Sequence, residues 1–173
     1  NGVELDVWHR KCIFATCQGY QYPIVGSRFI GDSVFVQAKA ILEGMATNKT
    51  GTNYMELAME SNKENGYYVV IAAKGESFSD TPEFRGQTSM DGAYGYGSTP
   101  SSPSLIIVET DICGPGVGGV KLGQSILSHE FGHNIEDGLG RKIPGFTATL
   151  TAMYDLNITT NGMYSGAYAA STY

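Results

Sequence analysis

His129 and His133 stand four residues apart with a carboxylate between them, in the run His129-Glu130-Phe131-Gly132-His133. On an α-helix that spacing brings both rings to one face. Two imidazoles so placed can share one Zn²⁺, with the Glu130 carboxylate beside the position the metal keeps open. Zinc lowers the pKa of a bound water towards ~7. An ionised carboxylate can take that proton as the water attacks a carbonyl, then return it to the leaving amine. The chemistry this pattern supports is hydrolysis of a peptide bond, with His129 and His133 as metal ligands and Glu130 as general base.

The neighbours of the motif strengthen it. Ile126 and Leu127 precede it and Phe131 and Ile135 follow, which predicts a helix buried on most sides. Burying two histidines and a glutamate there is costly unless a metal or hydrogen-bond partners satisfy them. The chain has 3 histidines, and the third, His9, is remote in sequence. A serine or cysteine hydrolase is disfavoured for the same reason, since the histidines near the centre of the chain lie on this helix. The third zinc ligand is harder to place. Glu136 and Leu139 stand where an extended His-Glu-x-x-His-x-x-Gly-x-x-His pattern would have its Gly and last His. Glu136, three residues past His133, lies on the same stripe but about a turn beyond the metal, where it would steady a ligand ring. Asp155, on the following helix, is the other carboxylate at a usable spacing.

Two glycine-rich stretches invite a phosphate-loop reading and do not sustain it. Gly92-Ala93-Tyr94-Gly95-Tyr96-Gly97 lacks a following Lys-Ser/Thr and opens no helix, so a substrate-flanking or flexible loop suits it better. Gly114-Pro115-Gly116-Val117-Gly118-Gly119 reads as a turn. Glu83 and Arg85 read as a solvated surface pair or as lining of the cleft.

The elements that must hold the motif can be read from hydrophobic period. Cys12 to Ile30 mixes β-formers with turn residues and predicts one or two short strands. Asp32-Ser33 offers a helix start, followed by Val34, Ala38, Ile41, Leu42 and Met45 at helical spacing. A second helix is expected from about Thr52 to Gly66 on Met55, Leu57, Ala58 and Met59. Tyr67-Tyr68-Val69-Val70-Ile71-Ala72 and Leu105-Ile106-Ile107-Val108 read as buried strands. Between them, Lys74 to Ser104 is rich in Gly, Ser, Pro and Tyr without sustained period, the mark of a functional or mobile loop. The zinc helix is expected from about Leu122 to Asp137, ended by Gly138 and Gly140. A last helix should follow Pro144 with Phe146, Leu150, Met153 and Tyr154 on one face. This order predicts an α+β fold.

At 173 residues, 42% hydrophobic and 16% charged, the chain suits one globular domain spanning 1–173. Its net charge of −6, from 11 Lys+Arg against 17 Asp+Glu, argues against a nucleic-acid partner, because a phosphate-reading surface needs clustered cations. No apolar run is long enough to span a bilayer. The chain opens on Asn1, consistent with removal of a signal peptide, and Asn48-Lys49-Thr50 and Asn157-Ile158-Thr159 are N-glycan sequons. We therefore expect secretion. Cys12 and Cys17 are close enough for a short-loop disulfide, or either could pair with Cys113; the odd count leaves at least one thiol without a partner in the chain.

The run from Ser125 to Asp137 resembles the active helix of anthrax lethal-factor-like zincins and of a broader set of secreted zincin-like proteins. The likeness extends upstream through Val69 to Ala72 and Phe78 to Gly86. Downstream it runs through Gly138-Leu139, Pro144-Gly145-Phe146 and Gly162-Met163-Tyr164, covering about Tyr22 to Tyr173. The resemblance implies a zincin-like fold in which a small mixed sheet packs on the helix carrying the two histidines. It also implies a tyrosine after the second helix, matched by Ser171-Thr172-Tyr173, whose phenol would hydrogen-bond the developing oxyanion. The zinc-ligand glutamate would follow about seven residues later. We therefore expect a C-terminally incomplete chain whose third ligand lies beyond Tyr173, with Asp155 or Glu136 as weaker candidates. The function expected is that of a secreted zinc endopeptidase acting on protein or peptide. The alternative is a catalytically impaired zincin-fold protein serving as an extracellular structural or binding module.

Overall fold

After Cys17 the chain reverses through Gln18 and Gly19, whose positive φ values of 50° and 81° give the paired left-handed conformation that suits a two-residue hairpin. The cost at Gln18 is met by its side chain, whose Nε2 donates to the Ala46 carbonyl at 2.6 Å. The hairpin joins strand β1 (His9–Cys17) to strand β2 (Tyr20–Ser27), antiparallel, with Cys17 opposite Tyr20. The computed structural model describes residues 8–47, 53–112 and 125–156.

Two helices follow, α1 (Asp32–Met45) and α2 (Tyr54–Glu64), and return the chain to β3 (Tyr68–Ala72), which lies parallel to β2. β5 (Ser104–Val108) adds parallel to β3, and the short β4 (Gly95–Tyr96) pairs antiparallel with β5 at the sheet's edge. The sheet order is β1-β2-β3-β5-β4. Helices α3 (Ile126–Lys142) and α4 (Phe146–Tyr154) complete the described residues. The architecture is α+β, with a mixed five-stranded sheet. Among the described residues no helix is long and apolar enough to cross a membrane.

Strand alternation sorts the core into two layers. Ile24, Val69, Ile71, Leu105 and Ile107 face the helices, meeting Phe35, Leu42, Met59, Leu127 and Phe131. Val25, Val70, Ala72 and Ile106 face the other way and are covered by Phe78 and Phe84. That second cover comes from the stretch after Lys74, which the sequence marks as a functional or mobile loop. It is instead a packed strap of short 3₁₀ turns. Phe78 and Phe84 are each 2% exposed. A capping box between Ser77 and Asp80 starts the strap, and Asp91 holds Ser79 through its backbone N–H at 2.9 Å and its hydroxyl at 2.7 Å. Glu83 lies on this same side, where Tyr68 donates to it at 3.4 Å, so it does not line a cleft beside α3.

Two expectations change. Cys12 and Cys17 are both free, because residues five apart in a strand point to opposite faces. Cys12 packs with the strap and Cys17 with the helices. Burial raises the pKa of both thiols, that of Cys17 to about 12 with help from Glu43. Cys113 lies outside the described residues. The second change is that α3 does not end at Gly138. It continues through both glycines to Lys142, and glycine is needed at 138 because a Cβ there would stand 2.7 Å from the Ala58 carbonyl oxygen. That glycine is where α3 and α2 touch backbone to backbone.

Candidate metal centre

Ser125 opens α3, its hydroxyl accepting the Ser128 backbone N–H at 3.2 Å, a standard N-cap that satisfies one otherwise unpaired donor. From there Leu127, Phe131, Asn134 and Gly138 form the stripe that faces the core. His129 and His133 fall on a different stripe. The expectation that the helix is buried on most sides is corrected here: His129 is exposed and His133 half-buried. The two rings stand edge to face, with centroids 4.7 Å apart, and their Nε2 atoms are 3.2 Å apart.

That separation can be set against the demands of a shared ion. Two ring nitrogens each ~2.0–2.1 Å from one zinc at a near-tetrahedral angle would be roughly 3.3 Å apart. The pair fits zinc. Ligation also needs neutral rings, and both burial and the neighbouring His133 lower the His129 pKa. Behind His133, the Glu136 carboxylate lies 3.8 Å from Nδ1. It addresses the ring nitrogen opposite the converging one, so Glu136 can orient the imidazole and does not share the ion's side.

Glu130 is half-buried under the edge of the sheet. Burial pushes its carboxyl above the usual range, and the pull of His133 and a hydrogen bond from the Gly97 backbone N–H offset only part of that. The approach is close. A Cβ on Gly95 would come within 2.9 Å of Glu130 Cγ and 2.7 Å of Ile126 Cγ2, so β4 can cross α3 only without a side chain there. A Cβ on Gly97 would stand 3.2 Å from His133 Cβ. The sequence reading treated this segment as a loop beside substrate and missed its role in seating Glu130. The available signal was two glycines two residues apart, which in extended chain share one face. Asn134 was also missed, although a polar residue interrupting the core stripe was visible. It is fully buried and bonded to Tyr22 and Ser98.

Below the histidines a cleft of about 360 Å³ opens between α3 and α4. Ile135, Leu139, Phe146 and Leu150 make its apolar wall, and His129, Gly132, His133 and Glu136 border it. Among the described residues, no group of three His, Cys, Asp or Glu side chains is arranged to hold a metal. Tyr173 and the sequons at Asn48 and Asn157 lie outside the described residues. No family model matches the chain, and no curated protein or solved structure gives a significant match.

Proposed function

We propose that the chain is a secreted zinc-dependent endopeptidase with a zincin-like fold, in which His129 and His133 hold the metal and Glu130 is the general base. The observation that carries this reading is the convergence of the two Nε2 atoms at 3.2 Å, with the Glu130 carboxylate on the next face of the same helix. When bound, zinc would polarise the scissile carbonyl and acidify the attacking water.

The remaining steps belong to the chain's own groups. Glu130 accepts the proton of the attacking water and delivers it to the leaving amine. Burial pushes its carboxyl above the usual range, with His133 and the Gly97 N–H pulling the other way. Gly97 fixes the carboxylate through its N–H, and the Glu136 carboxylate lies 3.8 Å from His133 Nδ1, on the side away from the converging Nε2. β4 is an edge strand, and an extended peptide can add to such an edge by main-chain hydrogen bonds. The apolar wall of the cleft can take a substrate side chain. Tyr173 is proposed as the oxyanion donor.

The second reading is a binding or structural protein that keeps the fold without turnover. The two readings separate on purified protein. We expect one zinc per chain, lost in His129→Ala and His133→Ala. We expect chelator-sensitive hydrolysis of an unfolded protein substrate, and a fall of about 10²–10⁴ in kcat for Glu130→Gln with zinc retained. Full activity in Glu130→Gln would refute the assigned base. Zinc binding without hydrolysis would favour the second reading.

A further inference from the structure

Asn134 is 0% exposed, and its amide makes three hydrogen bonds beside the candidate metal centre. Its Oδ1 accepts the Ser98 backbone N–H at 2.8 Å. Its Nδ2 donates to the Tyr22 hydroxyl at 2.8 Å and to Ser98 Oγ at 3.1 Å. Tyr22 is itself fixed in the core, 3% exposed and edge-on to Phe131 with centroids 5.4 Å apart. Glu130 and Asn134 are four residues apart and share a helix face. The 95–98 segment crosses that face, so one residue's placement governs the other's surroundings. Ser98 is held by Asn134, and the preceding Gly97 donates to Glu130.

We propose that Asn134 is a positioning residue for Glu130: its buried amide clamps Ser98 onto α3 and so aims the Gly97 N–H at the Glu130 carboxylate. This rests on the peptidase reading for its catalytic consequence, but the clamp itself does not. A core residue chosen for packing alone would be apolar here, since a buried amide must recover its lost hydration through its own bonds. All three of those bonds run to the crossing segment or to the tyrosine that anchors it. A displaced Gly97 would leave Glu130 free to turn away from the attacking water, while ground-state contacts to substrate stay in place. The effect should fall on kcat and leave KM nearly untouched.

The test uses the full chain with zinc. Asn134→Leu removes all three bonds at similar bulk. Asn134→Asp keeps the acceptor for Ser98 and lets the Ser98 and Tyr22 hydroxyls donate in turn. In Asn134→Leu we expect the amides of Gly97 and Ser98 to exchange about tenfold faster, the factor for one lost hydrogen bond. Amides of β3 and β5 should be unchanged, zinc content equal, KM within about threefold, and kcat down by about 10²-fold. Asn134→Asp should recover most of kcat. If Asn134→Leu does not fold, Asn134→Ala takes its place. Faster exchange at 97–98 with full kcat overturns the proposal, as does a loss of protection spread across the whole sheet. If the wild-type chain hydrolyses nothing, the peptidase reading fails, and the clamp is judged by the Gly97 amide resonance. That resonance should move on Glu130→Gln in the wild-type background and not in Asn134→Leu; equal movement in both overturns it.

Discussion

Two glycines on α3 should respond to alanine with opposite signs. On an open helix, glycine is about 1 kcal/mol less stable than alanine, so replacement normally helps. At Gly132 a Cβ would meet nothing within 4 Å, and Gly132→Ala should gain about 0.5–1 kcal/mol. At Gly138 the same methyl would stand 2.7 Å from the Ala58 carbonyl oxygen, 2.9 Å from Asn62 Oδ1 and 3.0 Å from Ala58 Cα. Two of these are α2 backbone atoms, so no rotamer change relieves them and the helices must separate. Overpacking of this kind costs about 1–3 kcal/mol. It also disturbs Asn62, whose side-chain amide is buried with no hydrogen-bond partner of its own.

The two variants should therefore differ by about 1.5–4 kcal/mol, which for a chain of this size is about 3–16 °C in Tm. Urea unfolding followed by far-UV circular dichroism, with chelator present so that bound metal does not shift the equilibrium, gives the comparison. The slopes should match wild type and only the midpoints move. A Gly138→Ala variant as stable as wild type would show that α2 and α3 are not in backbone contact. The path of α3 past His133 would then be wrong as well.

Asp137 should make stability acid-sensitive. Burial pushes its carboxyl up, but the Arg141 guanidinium, in contact at 2.8 Å and 2.9 Å, and the Tyr67 hydroxyl at 2.6 Å together hold it below the usual range. A depressed folded pKa contributes stability above the unfolded value of ~3.9 and loses it as pH falls through the folded value. Asp137→Asn should thus be less stable at pH 7 by roughly 1 kcal/mol, a figure kept small because the pair is one-third exposed. The wild-type and variant curves should converge below about pH 3; a constant gap would exclude the ionised carboxylate as the cause. Phe84→Ala tests the strap: as a core residue it should lose about 3–5 kcal/mol in the same urea assay. A loss under about 1 kcal/mol would mean the strap does not cover the sheet.

Much of this was legible in local pattern. Continuous β-branched runs located β3 and β5, and period-3.6 spacing located α1, α2 and α4, within a few residues. The His129–His133 spacing likewise needed only helix geometry. What escaped depends on contacts between distant segments. Gly138 and Gly140 carry a helix-stop signature, and only the proximity of α2 makes a glycine necessary inside the helix. Phe78 and Phe84 follow no period, since a strap of 3₁₀ turns presents its apolar residues irregularly, so their burial was invisible until the sheet's second face needed a cover. The opposite facing of Cys12 and Cys17 could have been read from their odd spacing once the strand was assumed.

The exposure of the histidine stripe bears on function more than its burial would have. The two Nε2 atoms lie at hydrogen-bonding distance from each other, so a ring-to-ring hydrogen bond already accounts for their convergence. Glu130 is another matter, because its carboxylate is partly desolvated beneath an edge strand that reaches it only through Gly95 and Gly97. A half-buried carboxylate, a glycine in a strand with a second just beyond it, and a buried asparagine are each unfavourable choices on packing grounds. Here they fall together around one helical turn, beside two ring nitrogens set at the spacing a shared zinc would require. Unfavourable choices gathered at one place mark a candidate site. The geometry points to Glu130, more than to the histidine pair alone, as the group the fold was arranged to hold.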